Sequence, residues 1–149
     1  MNDDELLAGF ESCTLPSGSF HHADHVKVVW LYLQTEPVLS ALGRFSAALK
    51  RFAAAAGRPN LYHETITCAY VFLVNERLAR TDPGASWEEF ARLNGDLLTW
   101  RPSLLDRLYR NGTLDSDLAR RVFVLPDHLA ALAVSTACRS VALETPTPA

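Results

Sequence analysis

The sequence has no pair of cysteines. Its three, Cys13, Cys68 and Cys138, lie far apart, odd in number and without CxxC spacing. That pattern argues against a disulfide framework or a thiolate zinc site, and it suits a reducing cytoplasm. A basic block is absent too. Arg and Lys are scattered along a chain of formal charge −3, which lacks the electrostatic footprint of a nucleic-acid-binding protein. No apolar run nears the roughly 20 residues that a bilayer span requires. The opening Asn2-Asp3-Asp4-Glu5 is opposite in charge to the basic start of a signal peptide. No repeat or low-complexity block is visible. The expectation is a soluble, cytoplasmic protein with no nucleic-acid or membrane partner.

The 149 residues, 48% hydrophobic and 21% charged, suit one globular domain with a real core. The pattern predicts an all-α, single-domain helical bundle of about five to seven helices over residues 1–143, three long ones forming the core. The proline-containing stretch 144–149 reads as a disordered tail. A short helix is expected over 3–11, broken by Thr14-Leu15-Pro16-Ser17-Gly18-Ser19. Ser19 is a candidate N-cap for a helix over about 20–35 carrying Val26, Val29, Trp30 and Leu33. From Pro37, the stripe Val38, Leu42, Phe45, Leu49 and Phe52 marks an amphipathic helix that stops at Gly57.

Asn60 is a candidate cap for a helix over about 61–80, apolar or small nearly all round from Thr67 to Val74 and therefore central. Ser86 and Glu89 form a capping-box pattern for a helix near 87–99. Pro102 is placed to start another near 102–110, with Gly112 to stop it and a short helix after Asp115 or Ser116. Val122 to Leu125 has no strand partner and reads as an extended connector. His128 to Cys138, rich in Ala and Leu, reads as a last helix.

Four of the five histidines fall in two segments, Phe20-His21-His22-Ala23-Asp24-His25 and Tyr62-His63-Glu64-Thr65-Ile66-Thr67. His22 and His25 share a helix face and extend the stripe of Val26, Val29 and Leu33, so both rings are expected to point inward. Antiparallel packing through short turns makes the helices starting near 20 and 61 parallel, with their N-terminal turns at one end of the bundle. His22, His25 and His63 would then approach one point. Three neutral imidazoles are a ligand set for a divalent transition metal (zinc, iron or copper), with a position left open for water or substrate. Glu64 would serve as a fourth ligand or general base, and Thr67, one turn on from His63, would touch a bound molecule. The two helix dipoles oppose a cation by about 0.3–1 kcal/mol per terminus, small beside the roughly 10–16 kcal/mol of structural zinc binding. They favour an anionic co-ligand or substrate carboxylate at the open position.

At these residues the chain resembles an uncharacterised family of small bacterial all-helical proteins. The resemblance rests on Phe10-Glu11-x-Cys13-Thr14-Leu15-Pro16, on Phe20-x-His22-x-x-His25-Val26 followed by Trp30-x-Tyr32-Leu33, and on Tyr62-His63-Glu64-Thr65-Ile66-Thr67. Leu104-Leu105-Asp106 and Tyr109 extend it more weakly, and Arg107-Leu108-Tyr109-Arg110 stands where similar proteins carry a basic-His-Tyr-Ser stretch. It implies that Glu11, His22, His25, His63 and Glu64 belong to one constellation, and it supplies no reaction.

Two readings follow. One is a small metalloprotein, a candidate metal-dependent enzyme acting on a small organic molecule. The other is a non-catalytic module binding a small ligand or a protein, its histidines forming a structural hydrogen-bond network. A homodimer built on an apolar face is compatible with both. Around the site, Cys68 reads chiefly as apolar filler, and Trp30, Tyr32, Tyr62 and Tyr70 chiefly as core. Arg77, Arg80, Arg107 and Arg110 read as solvated or ion-paired surface. Glu11 and His128 are candidates to reach the site from either end of the chain.

Overall fold

The computed structural model describes residues 1–16 and 18–128. It contains seven α-helices among the described residues: α1 (Asp3–Glu11), α2 (His22–Leu33), α3 (Val38–Ala55), α4 (Glu64–Ala79), α5 (Trp87–Leu93), α6 (Gly95–Leu98) and α7 (Asp117–Arg121). Two 3-10 turns, Pro59–Leu61 and Leu104–Arg107, complete the regular structure, with no strand among these residues. The all-α bundle expected from periodicity is therefore present. None of the described helices is long and apolar enough to cross a membrane.

The three long helices α2, α3 and α4 pack on one another; α1 lies against α2 and α3, α6 against α2 and α4, and α7 against α4. Their shared core includes Phe10, Val29, Tyr32, Phe45, Val71 and Val74. Burial of α4 is nearly continuous from Thr67 to Val71, so the helix with the least polar middle is the one enclosed by the others. Gly57 adopts φ 72° and ends α3. Its left-handed conformation lets Arg58 N–H reach back to Ala53 O at 2.9 Å, which satisfies a carbonyl that the helix end leaves open.

Several boundaries differ from the sequence reading, each because a side chain finds another partner. Ser19 does not cap α2; its hydroxyl and N–H both donate to Pro16 O, closing the preceding turn. The helix begins instead after His21, whose N–H is held by the Asp24 carboxylate at 2.8 Å. Asn60 does not cap α4, because the 3-10 turn Pro59–Leu61 intervenes and His63 takes the N-cap position. The helix expected over 87–99 splits at Asn94, where ψ is 41°. Buried Asn94 bonds Phe90 O through its amide and accepts from Arg77.

Pro102 starts no α-helix. Ser103 caps the 3-10 turn after it, with Asp106 returning to the Ser103 N–H. Ser116 does cap α7, and the residues after Arg121 run extended as expected. The helix expected beyond His128 and the tail 144–149 lie outside the described residues.

Candidate functional site

The N-terminal turns of α2 and α4 open onto a single cavity of about 970 Å³. His22, His25 and His63 all line it. Thr67 lines it one turn deeper on α4. The rest of the wall is mostly aromatic and aliphatic, with Phe20, Phe45, Phe52, Tyr70, Ile66 and Trp100 among its residues. Cys13, in the left-handed region at φ 58°, turns the chain out of α1 so that Leu15 and Pro16 also reach the cavity.

The three imidazoles differ in what they have left to offer. His63 is committed at both nitrogens. Its Nδ1 accepts the Ile66 N–H at 3.2 Å, and its Nε2 donates to Leu114 O at 2.7 Å. Since a carbonyl only accepts, Nε2 carries the proton and Nδ1 the lone pair, which fixes the neutral tautomer. Buried at 6% exposure, this ring replaces the cap that Asn60 does not provide and ties α4 to the loop before α7.

His22 is committed at one nitrogen. Its Nε2 donates to Leu97 O at 2.8 Å, leaving the Nδ1 lone pair. The ring meets Tyr70 edge-on at 4.7 Å and Trp100 at 5.1 Å between centroids. Burial lowers its pKa, the Leu97 bond opposing in part. His25 makes no side-chain hydrogen bond to any described residue; its ring stacks on Phe20 at 4.3 Å and meets Phe45 at 6.3 Å. Burial, reinforced by His22 nearby, pushes its pKa down to about 4, so at neutral pH it is an uncharged imidazole with donor and acceptor both open to the cavity.

The carboxylates stand apart. Glu64 does not line the cavity. It accepts the Tyr62 hydroxyl at 2.8 Å and faces Cys68 Sγ at 3.7 Å. Glu11 is held by Tyr32 at 2.7 Å and by Arg44 Nε at 2.8 Å, also away from the cavity. His128 does not line it either, and its N–H reaches Leu108 O. Among the described residues, no group of three or more His, Cys, Asp or Glu side chains is arranged to hold a metal ion. Burial pushes the Cys68 thiol up to about 11 and the Tyr62 phenol up to about 12. Both stay protonated at neutral pH, and neither is an activated nucleophile.

The chain matches no protein-family model, and no curated protein or solved structure matches it. The site must be read from its own chemistry.

Three wall residues escaped the sequence reading. Trp100, in the loop after α6, covers His22. Arg58 and Arg120, from the end of α3 and from α7, reach the mouth of the cavity from segments far apart in sequence. The available signal was the lack of an acidic residue three or four positions from Arg58. For Arg120 the nearby Asp117 hid it, because Asp117 pairs with Arg121 instead.

Proposed function

We propose that this protein binds a small, largely apolar organic molecule in the cavity between the N-terminal turns of α2 and α4. The supporting observation is His25, a neutral imidazole with neither nitrogen bonded to a described residue, on a wall built mostly of aromatic and aliphatic side chains. A mostly apolar cavity with one or two placed polar groups suits a ligand that is oriented by hydrogen bonds and held by area. Its volume, about 970 Å³, is ample for a molecule of drug-like size. His63 and, in part, His22 act in this reading as structural members of a hydrogen-bond network. A base with a pKa near 4 is poorly matched to proton abstraction at neutral pH, which favours binding over acid–base catalysis.

N-phenyl-1-naphthylamine, uncharged at neutral pH, tests this directly. Saturable binding at one site per chain, with energy transfer from Trp100 that falls in Trp100→Phe, is the expected result. A linear, non-saturating signal, or transfer unaffected by that substitution, would refute it.

A second reading, a divalent transition metal such as zinc, iron or copper held by His22, His25 and His63, draws support from His22. A ligating histidine commonly donates its other N–H to a backbone carbonyl, and His22 does this toward Leu97. His63 would have to release Ile66 N–H from its Nδ1 before joining such a set. Glu64 would likewise have to leave Tyr62 and Cys68 to act as ligand or base. Elemental analysis of untagged protein decides it: stoichiometric metal that is lost in His22→Ala and His25→Ala supports it, and protein that cannot be loaded removes it.

A further inference from the structure

We infer that the molecule taken up by the cavity carries a single carboxylate head on an apolar body, with Arg58 and Arg120 recognising the head at the cavity mouth. The inference rests on the binding role proposed above and specifies the ligand. It begins from a charge asymmetry. The chain is acidic overall, with 17 Asp and Glu against 14 Lys and Arg. Yet among the described residues that line the cavity there is no Asp, Glu or Lys, and the formally charged ones are Arg58 and Arg120.

Neither guanidinium group has an acidic partner among the described residues. Arg44, Arg77, Arg80 and Arg121 are each held by a carboxylate, and among the arginines with no such ion pair to a described residue, Arg58 and Arg120 are the ones that line the cavity. Arg58 makes no side-chain hydrogen bond, and Arg120 donates only to Asn60 O at 3.0 Å, leaving most of its donors unused. The two also flank an adjoining depression with Gly57, Pro59, Asn60 and Leu61, and both are exposed, whereas His25 is half-buried and Phe45 buried. A planar guanidinium fork matches a carboxylate with two parallel N–H···O bonds, and two forks facing one opening match it better than a cation or a neutral head. The N-terminal turns of α2 and α4 add positive partial charge at the same end of the bundle. The interior offers an uncharged imidazole and aromatic faces, which accept an alkyl or aryl body and disfavour a second charge.

Decanoate, decan-1-ol and decylammonium share a body and differ in head group, so their affinities for the full chain at pH 7.5 test the inference. Decanoate should bind about tenfold more tightly than decanol, the size expected of charge-assisted hydrogen bonds at a partly exposed site. Decylammonium should bind most weakly. In Arg58→Gln/Arg120→Gln the acid–alcohol gap should close while decanol affinity is unchanged, which also reports that the variant is folded. Single Arg58→Gln, whose side chain makes no internal bond, should narrow the gap without that risk. Raising NaCl should weaken decanoate and leave decanol alone. Equal binding of decanoate and decanol, or a gap that survives both substitutions, overturns the carboxylate assignment and leaves the cavity reading standing. If none of the three binds and the neutral naphthylamine also fails, the cavity reading itself falls.

Discussion

His63 shows how one side chain fixes several things at once. Its ring caps α4 through Ile66 N–H and holds Leu114 O across 51 residues of chain. His63→Ala removes a cap worth about 0.5–2 kcal/mol and orphans a carbonyl at a cost of about 1–3 kcal/mol. Urea unfolding should register a loss of about 2–4 kcal/mol. His63→Asn can still cap the helix and cannot reach Leu114, so it should recover about 1 kcal/mol of that loss. A stability unchanged in His63→Ala would mean the ring holds nothing together.

His25 sets a dependence on pH. Its pKa is about 4 in the folded protein against 6.5 for a free imidazole. Above pH 6.5 the ring is neutral in both folded and unfolded chains, and its contribution is fully present. Between pH 6.5 and 4 the unfolded chain takes up a proton that the fold excludes, so stability falls as acid is added. The loss amounts to at most about 3 kcal/mol, less as solvent reaches the partly exposed ring. His25→Phe should flatten that part of a stability–pH curve measured by urea titration. A curve of the same slope in wild type and variant would assign the acid sensitivity elsewhere.

Between elements, Thr65 works as a latch. Its hydroxyl lies 2.7 Å from Ala119 O and 2.8 Å from Val122 O, and it accepts Val124 N–H at 3.0 Å. The Thr65 hydroxyl thus pins α7 and the segment after it to α4, and Tyr109, donating to Val124 O at 2.8 Å, ties the same segment to the chain after the second 3-10 turn. This is why Val122 to Leu125, strand-forming by propensity, needs no strand partner. Thr65→Val keeps the shape and leaves these backbone groups unpaired, so α7 should open locally at a cost of about 1–3 kcal/mol. Amide exchange of Val124 should accelerate while that of α2 does not; equal protection in both proteins would show that the latch carries no load.

The same elements explain how far the sequence could be read. That His22, His25 and His63 line one cavity is in keeping with helical period and short connections, both local properties. The fate of each ring nitrogen is not local. The partners are the carbonyls of Leu97 and Leu114, 75 and 51 residues away, and a carbonyl has no side-chain signature. Likewise Glu64 reads as a site acid only until Tyr62, two residues earlier, is seen to bond it. Ser19 and Asn60 are capping residues by type, displaced because Pro16 O and a 3-10 turn claim them or their place.

At the scale of the whole molecule, a cavity of about 970 Å³ in so small a domain is in conflict with stability. Apolar wall atoms left facing a solvent-open cavity lose the burial and dispersion contacts that a filled core would give them. A fold selected only for stability would close it with larger side chains, yet Ala53, Ala55 and Ala56 line it at the C-terminal end of α3. Filling should therefore separate the two properties. Ala53→Leu, at a position already 9% exposed and facing the cavity, should raise stability by about 0.5–2 kcal/mol, the usual gain from filling a cavity. It should weaken naphthylamine and decanoate together, because it removes volume and leaves the arginines untouched. Ligand at a hundred times its Kd should return about 2.7 kcal/mol to the wild type and less to the variant. Urea melts with and without decanoate supply both comparisons. If Ala53→Leu were to gain stability and bind decanoate as tightly as before, the cavity would be a packing defect, and binding would have to reside on another surface.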